Sequence, residues 1–264
     1  MIPLNFTLFY SGAPLSYLRY LTFKSLRHFH PHSRIQLFTT KKFKVRDHNW
    51  FREKQDFEGN YKVMDYMSQL KDLNIEVVIL DRFAETYNPV IQSDLFRYWH
   101  LYSQGGFYLD TDQIILKPFD SLPLQYDFLY SMYFNPQCGM YFPVGVLGCV
   151  KNYPVMDYIV KNIVKYYHPN HYNSTGPGML LDVLGKVKAT SSFNMPSVAW
   201  YPAQNSDLVE QIYNGKLELT DKSWAVHWYG GHSLSQEFNK KYTEEFARTS
   251  NDTISRFLRK NNLL

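Results

Sequence analysis

Over roughly the first half of the chain, short apolar runs alternate with longer segments whose apolar positions recur every three or four residues. The first pattern marks strands and the second marks helices. "LNFTLFY" (Leu4–Tyr10) reads as a strand, "SGAP" as the turn after it, and Pro14–Phe29 as a helix. Leu15, Leu18, Leu21 or Thr22, and Leu26 line one side of that helix. Arg34–Thr40 is a second strand, 41–59 a polar loop and Lys62–Asp72 a helix. "IEVVIL" (Ile75–Leu80) is short, β-branched and apolar, as a parallel strand buried on both faces would be. The next helix has clear ends. Asn88 is placed to cap it, Pro89 suits its first position, and Gly105–Gly106 stop it. Ile91, Leu95, Tyr98 and Tyr102 make its expected buried stripe.

This alternation of strands and helices predicts an α/β domain with a mostly parallel sheet. Further on, Tyr126–Phe134 and Val144–Val150 resemble the strands of a hairpin, so the sheet is expected to be mixed. Helices are predicted at Tyr153–Tyr166 and Gly178–Val187, a late strand at Ser223–Tyr229, and one charged amphipathic helix from Gln236 on. The organisation expected is one domain over 1–235 with a helical extension, 236–264, packed on it.

Composition changes this picture little. The 264 residues can bury a full core. The 22 Tyr, 19 Phe and 5 Trp suit a core plus a pocket that stacks on rings or sugars. A net charge of +4 is too small to argue for nucleic acid, though it would help to hold an anion. Cys138 and Cys149 make neither a disulfide framework nor a zinc site, and read as two core thiols or one bridge. No stretch approaches the roughly 20 apolar residues of a membrane helix. The N-terminus reads as a strand rather than a signal peptide, so a cytoplasmic protein is expected.

The candidate chemistry lies in "GGFYLDTDQIIL", Gly105–Leu116. Residues i and i+2 of a strand share a face, so Asp110 and Asp112 would aim two carboxylates at one spot. Unpaired burial would cost several kcal/mol each, and a divalent cation would remove the conflict. Equally, these are turn residues of the kind found where strands end. Two features of context favour the metal. Ligands of open α/β sheets bind beyond the carboxyl ends of strands. The preceding helix carries Asp94 and Arg97 at i, i+3, which form either a structural ion pair or a pair presented to hydroxyl and phosphate oxygens.

"SDLFRYWHLYSQGGFYLDTDQIILKPFD" (Ser93–Asp120) resembles the sugar-binding region of D-x-D glycosyltransferases, the family 32-like mannosyl- and galactosyltransferases, and distantly the clostridial glucosylating toxins. "STGPG" (Ser174–Gly178) and "AVHWYGGHS" (Ala225–Ser233) are similar to that family's Thr-Gly-Pro loop and late histidine segment. The resemblance implies a GT-A fold, a Rossmann-like sandwich binding a nucleotide-sugar at the carboxyl edge of its sheet. It implies Mn²⁺ (or Mg²⁺) held by Asp110, Asp112 and His227, with Asp112 the closer ligand and His232 a competitor for the third place. Asp94 and Arg97 would contact the donor sugar, and with Asp112 they are the expected catalytic residues. Gly176, Pro177 and Gly178 would let backbone approach the donor sugar or acceptor, Gly106 is a further expected donor-binding residue, and Tyr10 and Ser11 would lie near the base. Lys222 could assist Arg97 on the leaving phosphate. The sequence departs from the family at Leu234, where a tryptophan is usual.

The function so implied is transfer of a hexose, with retention and by a front-face displacement guided by the leaving phosphate, from a UDP- or GDP-sugar to a glycan or other sugar acceptor. Nucleic acid is not expected as a partner. Two other classes compete. A haloacid-dehalogenase-like phosphohydrolase also uses a D-x-D, but on its first strand and with Thr or Val where Ile114 stands. A non-catalytic carbohydrate-binding protein would use the aromatics and a structural ion.

Overall fold

A computed structural model describes residues 1–11, 14–41, 63–135, 139–204 and 206–264. Its centre is a seven-stranded sheet ordered β10-β6-β9-β4-β1-β2-β3. The strands are β1 (Phe6–Phe9), β2 (Ile35–Thr40), β3 (Glu76–Leu80), β4 (Gly106–Leu109), β6 (Phe128–Ser131), β9 (Val146–Cys149) and β10 (Ser192–Met195). Strands β1 to β4 run parallel, β9 runs against both β4 and β6, and β10 runs parallel to β6. The expected mixed sheet flanked by helices is what forms. Two small ribbons leave it: β5 (Gln113–Ile115) pairs antiparallel with β11 (Ala225–His227), and β7 (Tyr133–Asn135) with β8 (Gly139–Tyr141).

Strand alternation sends Phe6 and Leu8 of β1 to one face, where they join Phe23 and Leu26 of α1 (Tyr17–Phe29) and Trp200. Phe9 points to the other face, against Phe96 of α2 (Pro89–Gln104) and, in the same cluster, α3 (Pro154–Tyr166) and α4 (Pro177–Lys186). A third apolar cluster joins α1, β5 and β11 to the C-terminal helices. Between them lies α5 (Ser206–Tyr213).

Helix α2 has the ends its sequence announces: Asn88 Oδ1 accepts the Ile91 N–H at 3.1 Å, Pro89 stands in the first turn, and Gly105 closes it at φ 70°. Its burial is wider than a stripe. Gln92, Asp94, Phe96, Arg97, His100 and Leu101 are buried with Ile91 and Tyr98, because sheet and neighbouring helix enclose it.

Several expectations are corrected. Helix α1 starts at Tyr17, where Ser16 caps it, and not at Pro14. Where a helix is expected over 62–72, the described residues from 63 on form a 3₁₀ stretch, Met67–Leu73. β3 is an edge strand with Val77 and Ile79 exposed, so it is not buried on both faces. The tail is three helices, α6 (Ser233–Lys241), α7 (Glu244–Thr249) and α8 (Thr253–Lys260), with Thr243 and Asp252 capping the last two. Helix α6 runs through residues 235 and 236, and Phe238, Ile254 and Leu258 share a core with Leu18 and Val226. Cys149 is a buried free thiol; Cys138 and the expected loop 42–59 lie outside the described residues.

Candidate active site

The acidic couplet stands where β4 stops. Strand β4 ends at Leu109, and Asp110-Thr111-Asp112 turn the chain into β5. Strand alternation therefore does not bring the two carboxylates together; a turn does. Because β1, β4 and β6 are mutually parallel, Tyr10 and Ser11 after β1 and Asp110 after β4 share one edge of the sheet.

Two different clamps hold the couplet. On one side Arg97, 3% exposed in its side chain, donates through Nη1 to Asp94 and through Nη2 to Asp110 at 3.0 Å. Asp94 also accepts from Thr175 Oγ1 at 2.8 Å. Burial prevails at Asp94 over Arg97 and Thr175, and leaves its carboxyl above the usual carboxylate range. At Arg97 burial opposes the charge, but Tyr108, Asp110 and Asp94 outweigh it and keep the guanidinium's pKa above its ordinary value.

On the other side Asp112 Oδ1 lies 2.9 Å from His227 Nε2, and Oδ2 accepts the Gly230 N–H at 2.7 Å. From α1, Arg19 Nη1 donates to Thr111 Oγ1 at 2.7 Å, and Thr22 Oγ1 to the Thr111 carbonyl at 2.8 Å. Burial again opposes the Asp112 charge, yet His227, Arg19 and the Gly230 N–H together hold it well below the usual carboxylate range. For His227 burial disfavours the cation, and Asp112 more than offsets this and raises its pKa.

Asp110, Asp112 and His227 form the one group, among the described residues, whose ligand atoms converge as for a metal, all within 4.8 Å of one another. Two carboxylates and an imidazole suit Mn²⁺, and the oxygens also suit Mg²⁺. The bonding of His227 is incomplete without a ligand: its Nδ1 is buried and has no hydrogen-bond partner. The residues fit a divalent ion.

The other expected residues divide into two sets. Gly176 caps α4 beside Asp94, where a Cβ would stand 3.3 Å from Asp94 Oδ2, and Pro177 follows in the first turn. Tyr10 and Ser11 reach the same edge but are buried: the Tyr10 ring lies under Arg19, and Ser11 Oγ pairs with Thr40 Oγ1 at 2.6 Å. Gly106 is not brought to the cluster. It begins β4, at the far end from Asp110, with φ 94° and the Asn5 carbonyl 2.7 Å from where a Cβ would be. That crowding and that φ explain the glycine. His232 caps α6 outside the metal-type group, Lys222 is exposed in the turn before β11, at the end away from His227, and Leu234 is half exposed on α6.

Sequence reasoning missed Arg19, Gln113 and Gly145, and gave Thr175 and Gly230 no role of their own although both stand in the quoted motifs. Arg19 carried a signal: it lies in line with Leu15, Thr22 and Leu26, a cation on an otherwise apolar side. Gln113, between Asp112 and two buried isoleucines, carried another. Gly230 stands in the turn after β11, inside the quoted histidine segment, and Gly145, just before β9, carried no signal.

With this geometry in place, likeness to known proteins becomes informative. Residues 19–129 match the family described as "Glycosyltransferase sugar-binding region containing DXD motif". An uncharacterised glycosyltransferase of Acanthamoeba polyphaga mimivirus is 28% identical over 143 residues, 53% of this chain and 55% of that relative. The chain thus spans about half the length of the curated relative that it matches. Among solved structures, PaToxG glycosyltransferase superposes with a TM-score of 0.51 at 17% identity, covering 98% of this chain and 87% of that one. Apo-form GlyE of Streptococcus pneumoniae TIGR4 gives 0.51 at 15% identity, covering 99% and 60%. The fold is the GT-A type expected, and residues 19–129 are similar to the DXD-containing sugar-binding region of glycosyltransferases.

Proposed function

We propose that the protein is a metal-dependent glycosyltransferase that moves a hexose from a UDP- or GDP-sugar to a glycan or other sugar acceptor, with retention of configuration. The observation that carries this reading is the convergence of Asp110 and Asp112, inside the family-matched region, with His227 from beyond it at the carboxyl edge of the sheet, and with the Asp94–Arg97 pair buried alongside. Asp110, Asp112 and His227 would hold Mn²⁺ or Mg²⁺. Bound there, the ion would supply Lewis-acid stabilisation of the leaving diphosphate.

The chain's own residues do the rest. Asp94 accepts hydrogen bonds from hydroxyls of the donor sugar, and Thr175 with Arg97 fixes its direction. Arg97, already committed to Asp94 and Asp110, acts by holding the two carboxylates in register. The bare Cα of Gly176 leaves room above Asp94 for a ring, and Pro177 starts α4 behind it. Tyr10 and Ser11, one strand over, border the place of the base. Since no further carboxylate is presented as a covalent nucleophile among the described residues near Asp94, the acceptor attacks from the face that the phosphate leaves, and a phosphate oxygen takes its proton. Residues 1–235 form the catalytic domain on this reading, with 236–264 a helical extension of it.

Incubation with Mn²⁺ and a panel of UDP- and GDP-sugars should give slow donor hydrolysis that EDTA stops. If no donor is bound or hydrolysed, and Asp112→Asn changes nothing, the proposal is wrong.

A further inference from the structure

Gln113 is out of place. It is 0% exposed and precedes Ile114 and Ile115, both fully buried. Yet neither its Oε1 nor its Nε2 has a hydrogen-bond partner. A buried amide left unpaired costs about 1–3 kcal/mol per group, so an apolar residue of similar size would be more stable at this position. Buried polar groups retained at such a cost belong where a second state of the molecule satisfies them.

The surroundings indicate what that second state is. Gln113 follows Asp112 in the chain and pairs with His227 across the β5–β11 ribbon, so it neighbours two members of the metal-type group. Its Nε2 borders the bare Cα of Gly145: a Cβ there would lie 3.3 Å from Gln113 Nε2 and 2.6 Å from Asp110 Oδ2. The amide and the carboxylate therefore flank one small gap, which exists because residue 145 has no side chain. In the present state Asp110 is drawn the other way, through Oδ1 to Arg97 at 3.0 Å. Asp110 is also the looser member of the couplet, 26% exposed in its side chain against 10% for Asp112.

We infer that Gln113 is a positioning residue for Asp110: when a divalent cation engages Asp110, the Gln113 Nε2–H donates to its other oxygen across the Gly145 gap. This rests on the metal reading of the site. Partners that orient metal ligands commonly set affinity by about 10–100-fold.

The test uses Gln113→Leu and the near-isosteric Gln113→Met, which guards against a packing failure in either one. Two measurements are made, the thermal midpoint without metal and Mn²⁺ affinity by calorimetry. The expected result is a higher midpoint in at least one variant with Mn²⁺ affinity about tenfold weaker in both. A lower midpoint in both with unchanged Mn²⁺ affinity would make Gln113 an ordinary structural residue and overturn the inference, as would unchanged affinity alone. If the unsubstituted chain binds Mn²⁺ and the variants bind equally, only the role of Gln113 falls. If the unsubstituted chain binds no Mn²⁺, the metal reading falls and this inference with it.

Discussion

The two ends of the central sheet treat buried titratable side chains in opposite ways. At the carboxyl edge Asp94, Arg97, Asp112 and Arg19 are buried, and ion pairs and hydrogen bonds join them to their neighbours. Towards the other end two buried histidines are kept neutral. His30 packs against Phe6 and Phe119 and accepts the Phe119 N–H at 3.2 Å, and burial pushes its pKa down to about 4. His100, bonded to Thr7 Oγ1 and packed on Phe38 and Phe96, is lowered to about 4 for the same reason. Burying an ion costs several kcal/mol unless partners offset it. Where packing alone is at stake, this chain avoids that cost by discharging the group. Around the metal-type group the buried charges are instead kept and paired.

That contrast can be broken most sharply at Asp112. Asp112→Asn removes one charge from the group while keeping its size, and donor hydrolysis in Mn²⁺ should fall about a thousandfold or more. A loss under tenfold would mean that the charged edge is structural, like the other.

Next in size is Arg97→Met, which leaves Asp94 and Asp110 without their shared cation. Removing one partner of a buried pair costs about 3–5 kcal/mol, so the urea midpoint should drop markedly. Arg97→Lys should restore only part of it, since an ammonium cannot fork to two carboxylates as a guanidinium does. A midpoint unchanged in Arg97→Met would show that the pair contributes nothing to the fold.

The neutral histidines are tested with acid. Their folded pKa values of about 4 lie below the ordinary 6.5. The fold therefore favours the uncharged form, and this contribution is fully present above pH 6.5 and lost as pH falls from there through 4. Each is worth up to about 3 kcal/mol over that window. A His30→Phe, His100→Asn double variant should show a flatter loss of stability between pH 6.5 and 4 than the unsubstituted chain. Equal slopes would mean that these imidazoles stay protonatable in place.

The smallest effect is expected at Thr175→Val, which deletes one hydrogen bond to Asp94. Stability should fall by about 1–2 kcal/mol, and the KM for donor should rise with kcat little changed. The reverse split would move Thr175 from orienting Asp94 to a part in the chemical step.

Much of this arrangement was legible residue by residue. Asn88, Pro89 and Gly105 mark the ends of α2 chemically, because a cap, a missing N–H and a positive φ are local requirements. The D-x-D couplet, Asp94 and Arg97 stood out because charge interrupts otherwise apolar elements. Gly106 misled for a physical reason: a glycine needed for backbone crowding against Asn5 looks the same in sequence as one needed for a ligand. β3 misled similarly, since an apolar β-branched run does not say whether it will be central or at an edge. The tail read as one helix because its periodicity persists through breaks that Thr243 and Asp252 create by capping new helices.

By itself the sequence determined what depends on neighbours along the chain: the strand and helix alternation, the ends of α2, the acidic couplet and the family resemblance of its surroundings. Tertiary structure alone decided which distant groups meet that couplet. Arg19 comes to it from α1, Gly145 from β9's approach, Thr175 from the cap of α4, and His227 and Gly230 from a strand more than a hundred residues later. The reason is the range of the forces. Capping and alternation act over a few residues, whereas the pairing of a buried charge is settled only when the sheet has set its strand order and brought its partner within 3 Å.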